Sequence, residues 1–185
     1  MNVRGGNGYV EEWVNPRLLR DAYLGAIWEG ATNVVALDVQ RAIRRDGCLA
    51  ALGDLVHARL ETVTDRLAKP AGDGVRDALD EVTRRAAAWP GLGTAERELE
   101  ARPVADTLYH VVASTLLLAE GQTLRDRCGD HRKLLMAALY QQRWLRPTHP
   151  AAPVFSARAL AWLPALVDWT PIPADALAGE TSGAA

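Results

Sequence analysis

Apolar residues in this chain recur at helical spacing and almost nowhere alternate. Val75, Leu79, Val82, Ala86 and Trp89 are separated by four, three, four and three positions, and Leu49, Leu52, Val56, Leu60, Val63 and Leu67 nearly repeat the pattern. Side chains three and four apart share a face of an α-helix, so each run presents one apolar stripe. No sustained apolar and polar alternation bounded by hairpin turns is present, and the expected class is all-α. From Val104 to about Leu124 the apolar residues occupy more than one face, which marks a central, mostly buried helix. No self-similar period of about 20 to 50 residues appears, so a solenoid is excluded.

Breaks between helices follow proline and glycine. Lys69-Pro70-Ala71-Gly72 is expected to end the first amphipathic helix, and Trp89-Pro90-Gly91-Leu92-Gly93 the second. Thr94 with Glu96 to Glu100 reads as the capped, acidic start of another stretch, with Arg102-Pro103 as a kink or restart. Cys128-Gly129-Asp130 closes the central helix and caps the next, residues 131–145. A short helix bent at Pro164 is expected over residues 156–169, followed by a disordered tail over 171–185, where Pro, Ala, Gly and Ser dominate.

Composition narrows the functional classes. With 185 residues, 49% of them hydrophobic, the chain can build one sizeable core but not two large domains. A net charge of -2, from 21 basic and 23 acidic residues, excludes the overall basic field of a dedicated nucleic-acid binder. One local patch remains, in which Arg125, Arg127, Arg132 and Lys133, continued by Arg143 and Arg146, are opposed only by Asp126 and Asp130. It is the candidate DNA-contacting surface, although arginine-rich solvated helix faces are common. Only Lys69 and Lys133 are lysine, a bias that fits a GC-rich bacterial genome. No apolar run approaches the roughly 20 residues that cross a bilayer, and the N-terminus lacks an apolar signal region, so a cytoplasmic protein without membrane contact is expected. Cys48 and Cys128 lie far apart and are expected to be ordinary buried thiols. His57, His110, His131 and His149 share no metal-ligand spacing, and no metal is expected. Trp144, Trp162 and Trp169 read as core or subunit-contact anchors.

The first 45 residues carry the chemistry. Gly5-Gly6-Asn7-Gly8-Tyr9 places three glycines in five positions, which lets a backbone turn sharply and approach a bulky anion, or simply breaks a helix. In Ile27-Trp28-Glu29-Gly30-Ala31-Thr32-Asn33, Glu29 stands among aromatic and small residues at a helix entry. A carboxylate there can serve as a reachable, partly desolvated base, or merely complement the positive end of the helix.

Taken together, Gly5-Gly6-Asn7-Gly8-Tyr9-Val10-Glu11-Glu12, Arg17-Leu18-Leu19-Arg20-Asp21-Ala22, the stretch from Ile27 to Asn33, and Leu37-Asp38-Val39-Gln40-Arg41 resemble the C-terminal end of the acyl-CoA dehydrogenase flavoproteins. Trp28 and the Leu37-Asp38-Val39 run resemble the AidB-like, alkylation-response branch. The resemblance is sharp over residues 4–44 and general beyond, where AidB-like proteins carry an extra helical region linked to DNA binding. It implies FAD as cofactor and an acyl-CoA as substrate. Glu29 would be the base that removes the α proton, its backbone N–H polarising the thioester carbonyl. Gly5 and Gly6 would approach the FAD pyrophosphate, typically of a neighbouring subunit in a homo-oligomer; Ala31, Thr32 and Asn33 would contact the flavin nucleotide. Trp28 and Gly30 would line the thioester site. In the family a Thr directly follows Glu-Gly, whereas here Ala31 does, with Thr32 next.

Residues 1–45 are thus expected to end a dehydrogenase helical domain, and 46–170 to form an appended helical bundle. About three turns of helix and two loops cannot enclose a flavin. The chain is therefore expected to be a C-terminal part, inactive and without tight FAD binding unless the N-terminal and middle domains are supplied. The alternative from another class is a non-catalytic helical module for self-association or DNA contact.

Overall fold

The computed structural model describes residues 2–28, 30–146 and 157–177, and among these every regular element is helical. A 3-10 turn, Asn2–Gly8, precedes α1 (Asn15–Ile27) and α2 (Thr32–Asp46). Then come α3 (Cys48–Glu61), α4 (Lys69–Ala88), α5 (Thr94–Cys128), α6 (Arg132–Trp144) and two short helices, α7 (Ala157–Ala161) and α8 (Leu163–Val167). A final 3-10 turn covers Ala174–Ala176.

The central helix is α5. Its 35 residues span about 52 Å, long enough for α2, α3, α4 and α6 all to pack along it. The stripes read from sequence meet there: Val56 and Leu60 of α3, Val75, Leu79 and Val82 of α4, and Val104, Leu108, Val111 and Leu118 of α5 are buried together with Trp89. The approach of α6 depends on Gly121. A Cβ at that position would stand 2.7 Å from the Leu134 side chain and 2.9 Å from the Leu134 backbone nitrogen, so the two helices can touch only where a side chain is missing. A second, smaller cluster covers the far side of α6, joining Leu135 and Leu139 to Ala159, Ile172 and Ala176.

Three helix boundaries differ from the sequence reading. The Lys69-Pro70-Ala71-Gly72 stretch begins α4 instead of ending α3, which already stops at Glu61. Proline suits a helix's first turn, where its missing N–H has no partner to lose, so Pro70 opens a helix as readily as it follows one. Pro103 neither restarts nor divides α5; its ring sits on the exposed side, and the helix runs through. The opening segment holds two helices, of 13 and 15 residues, more than the three turns expected.

Order also extends past Thr170. Ile172, Ala176 and Leu177 are buried, and the Asp130 carboxylate accepts the backbone N–H groups of both Ile172 (3.0 Å) and Arg132 (2.9 Å). The expected disordered tail is therefore not what residues 171–177 form; residues 178–185 lie outside the described ones. Elsewhere the expectations hold: Trp89–Gly91 ends α4, Gly129 closes α5 in the left-handed conformation (φ 70°), and α6 follows at Arg132.

Candidate functional site

The glycine-rich opening forms a tight turn. The Gly6 carbonyl accepts the N–H groups of both Tyr9 (2.9 Å) and Val10 (3.1 Å), while Gly5 takes φ 54°, a region an L side chain rarely enters. No atom lies within 4 Å of where a Cβ would stand at Gly5 or Gly6, so the backbone there is open to approach. Arg20 of α1 pins the following residues by a two-pronged contact to Glu11 (2.8 and 3.3 Å). Hydrogen bonding to Arg20 holds the Glu11 carboxyl below its ordinary range, and the partner raises Arg20.

The junction of α1 and α2 carries the other candidates. Trp28 closes the last turn of α1 through its N–H to the Leu24 carbonyl (2.9 Å), the residue being 70% exposed. Glu29, the expected base, lies outside the described residues. Gly30 takes φ 105°, strained for any residue with a Cβ, and so fixes the change of direction between the helices. The Ala31 carbonyl then accepts N–H bonds from Val34 and Val35, making Ala31 the residue at the mouth of α2. Alanine is among the poorest helix caps, and it makes no side-chain bond here. Among the described residues no side-chain cap bond to the backbone donors of the first α2 turn comes from Ala31. A helix start whose Ala31 offers no side-chain cap, next to a φ-positive glycine, suits an anionic group such as a phosphate.

Asn33, in that first turn, is held from a distance: Arg102 Nη1 of α5 donates to its Oδ1 (3.2 Å). A second bond joins the same helices, from Gln40 Nε2 to the Arg97 carbonyl. Arg102 entered the sequence reading only as part of a helix break and Gln40 only within a family-like run; neither was expected to join these helices, because nothing local links residues 69 and 57 positions apart. The glycine turn packs instead against α1.

The basic patch is largely neutralised within the chain. Arg125 pairs with buried Asp65 (3.2 Å) and with Asp126 (2.8 Å); Lys133 pairs with Glu120. Arg132 is itself buried, bonded to Asp130 (3.1 Å) and lying over the Trp169 ring. Arg127 is exposed. Cys48 and Cys128 are also exposed, contrary to expectation, since each sits at a helix end beyond the apolar stripe. Trp162 packs against the smaller core cluster, whereas Trp144 and Trp169 are exposed, each beneath an arginine, so of the two roles expected for them the core one does not apply. Among the described residues no cluster of His, Cys, Asp or Glu could hold a metal ion, and His149 lies outside them. No described helix is long and apolar enough to cross a membrane.

The profile of the acyl-CoA dehydrogenase C-terminal domain matches residues 1–44, the stretch that holds both the glycine turn and the α1–α2 junction. The opening segment belongs to that domain. Two curated relatives extend the likeness. Acyl-CoA dehydrogenase family member 11 of Caenorhabditis elegans is 35% identical over 120 residues, covering 62% of this chain and 19% of its own length. The putative acyl-CoA dehydrogenase AidB of Escherichia coli K12 is 47% identical over 45 residues, covering 24% of this chain and 8% of its own. The chain therefore spans less than a fifth of each of these relatives. The first alignment is more than twice the length of the matched domain, so acyl-CoA dehydrogenase likeness continues into the helices beyond α2. No solved structure matches the chain.

Proposed function

We propose that this chain is the C-terminal part of a cytoplasmic FAD-dependent acyl-CoA dehydrogenase and takes part in α,β-dehydrogenation of an acyl-CoA thioester. The observation that carries the reading is the coincidence of the family-matched residues with a surface that the chain does not use itself. Within residues 1–44, Tyr9, Trp13, Leu18, Tyr23, Ile27 and Trp28 are all exposed. So many large apolar side chains left exposed in one short stretch support an interface, here with the upstream dehydrogenase domains. Residues 1–45 then complete the dehydrogenase, and residues from 46 onward form an AidB-like helical extension.

The donor set fits the cofactor. Gly5 and Gly6, free of side-chain obstruction, would lie against the FAD pyrophosphate, and Ala31, Thr32 and Asn33 would present the first turn of α2 to the flavin nucleotide. Bound FAD supplies the acceptor for the hydride that leaves the β carbon. Glu29 takes the α proton onto its carboxylate, and its N–H donates to the thioester oxygen as negative charge develops there. Trp28 and Gly30 would line that thioester site, the glycine leaving room for the acyl thioester.

Association of this chain with the upstream domains is expected to yield a protein that keeps its flavin through gel filtration and oxidises an acyl-CoA. Glu29→Gln preserves shape while removing the basic oxygen, and is expected to lower kcat by about 100-fold to 10,000-fold with flavin content unchanged. Turnover at the wild-type rate in that variant, or an assembled protein without flavin, would overturn the reading. The DNA-contact alternative is not favoured, because Arg125, Arg132 and Lys133 are already committed to acidic partners.

A further inference from the structure

The appended helix α5 reaches back to the candidate cofactor site at one point. Arg102 is clamped by Asp106 one turn further along α5 (Nε to Oδ2, 2.7 Å), which leaves its Nη1 directed to Asn33 Oδ1 at 3.2 Å. A guanidinium only donates, so it selects the oxygen of the Asn33 amide and fixes which way that amide faces. With the oxygen engaged, the polar group Asn33 retains is its NH2. This contact sits at the edge of an open, mostly apolar cleft of about 510 Å³ between α2 and α5, walled by Leu37 and Leu99. Gln40, a little further along α2, ties the same two helices through the Arg97 carbonyl, so the position of α2 on α5 does not rest on Arg102 alone.

We infer that Arg102 is a positioning residue for the cofactor: it locks the Asn33 amide with its NH2 outward, so that the first turn of α2 offers a side-chain donor, beside its backbone donors, to the phosphate-bearing nucleotide. The inference rests on the FAD reading above and adds to it a contribution from outside the matched dehydrogenase domain. It also gives the appended bundle a role in cofactor retention, because α5 supplies the guanidinium and the acid that aims it. Asn33 without that partner would rotate between two amide orientations, only one of which presents a donor.

The test uses the full chain labelled with ¹⁵N and titrated with FAD, followed by the side-chain NH2 signals of Asn33, and in parallel the flavin-loaded assembly with the upstream domains. Arg102→Ala is expected to shift the Asn33 NH2 signals in the chain alone and to weaken FAD binding by roughly fivefold to tenfold, the scale of one oriented hydrogen bond. Arg102→Lys, which keeps a donor, is expected to recover part of that loss. Asn33→Asp separates positioning from packing. It keeps and strengthens the pairing with Arg102, so thermal stability is held or raised, yet it turns an oxygen toward the phosphate and is expected to weaken FAD binding by more than about tenfold. Gln40→Ala should do the reverse, lowering Tm with FAD affinity unchanged. Non-additivity of Arg102→Ala and Asn33→Ala in FAD affinity is expected, the double variant binding no more weakly than Asn33→Ala.

If wild-type protein takes up FAD but Arg102→Ala binds it as tightly, or if Asn33→Asp binds it as well as wild type, the positioning role is wrong while the dehydrogenase reading stands. If neither the chain nor the assembly binds FAD, both fall together.

Discussion

Two neighbouring helices of the same matched sequence, α1 and α2, meet opposite fates. Of α1 only Pro16 is buried, while Leu18, Leu19, Tyr23, Leu24 and Ile27 face outward. Of α2, Ala36 and Gln40 are buried, and Val39 and Ile43 lean on the core shared by α3, α4 and α5. Both helices carry apolar faces, so the difference lies not in their composition but in whether this chain supplies a partner. No break between separate cores falls near residue 45: α2, which ends the profile-matched stretch, is also a wall of the bundle. That places the candidate nucleotide contact, Asn33, on the helix that the bundle holds, and the exposed apolar residues on the helix that it does not.

The largest effect that could sharpen this contrast comes from the same substitution made on each side. Leu118 is fully buried in α5, and Leu118→Ala is expected to cost about 2 to 5 kcal/mol, read as a lowered denaturant midpoint. Leu24 is 46% exposed, and Leu24→Ala is expected to change stability by no more than about 0.5 kcal/mol while weakening association with the upstream domains. Comparable losses of stability at both positions would mean that α1 is buried in solution, and the idea of a free docking face would go with it.

Much of this architecture could be read from the sequence, for identifiable reasons. The stripes of α3 and α4, and the apolar residues on more than one face of α5 after Val104, anticipate the shared core, because helical spacing sets which side chains share a face. Pro70 was ambiguous, since a proline after one helix and in the first turn of the next looks identical locally. Pro103 passes through α5 because the packing of α2 and α4 along the helix outweighs one missing hydrogen bond on the outer side. The order of residues 171–177 depends on the Asp130 carboxylate, 42 positions before Ile172, and no window of sequence contains both. In the candidate site, the glycines were legible as backbone chemistry, while the absence of a side-chain cap bond from Ala31 shows only in the fold. The Arg102 contact to Asn33 was not legible either, because it exists only once α5 lies along α2.

A smaller effect lies about two turns beyond Arg102 on α5, where α5 meets α6. His110 of α5 hydrogen-bonds Tyr140 of α6 through Nδ1 (2.7 Å) and stacks on Trp144, with ring centres 4.7 Å apart and planes inclined by 13°. Burial lowers the His110 pKa from its ordinary 6.5, against a weaker upward pull from Asp106; burial likewise raises Tyr140. The folded imidazole therefore takes up its proton at lower pH than the unfolded one. Between those two pKa values the unfolded chain binds more protons, so His110's contribution is complete above about pH 6.5 and is lost as pH falls through that window. Thermal unfolding followed from about pH 7.5 down to about pH 5.5 should show a shallower decline for His110→Gln than for wild type, because glutamine keeps a polar partner for Tyr140 and cannot titrate. Parallel declines would place the acid sensitivity in the carboxylates that both proteins share, and the α5–α6 contact would then be as indifferent to pH as the rest of the core.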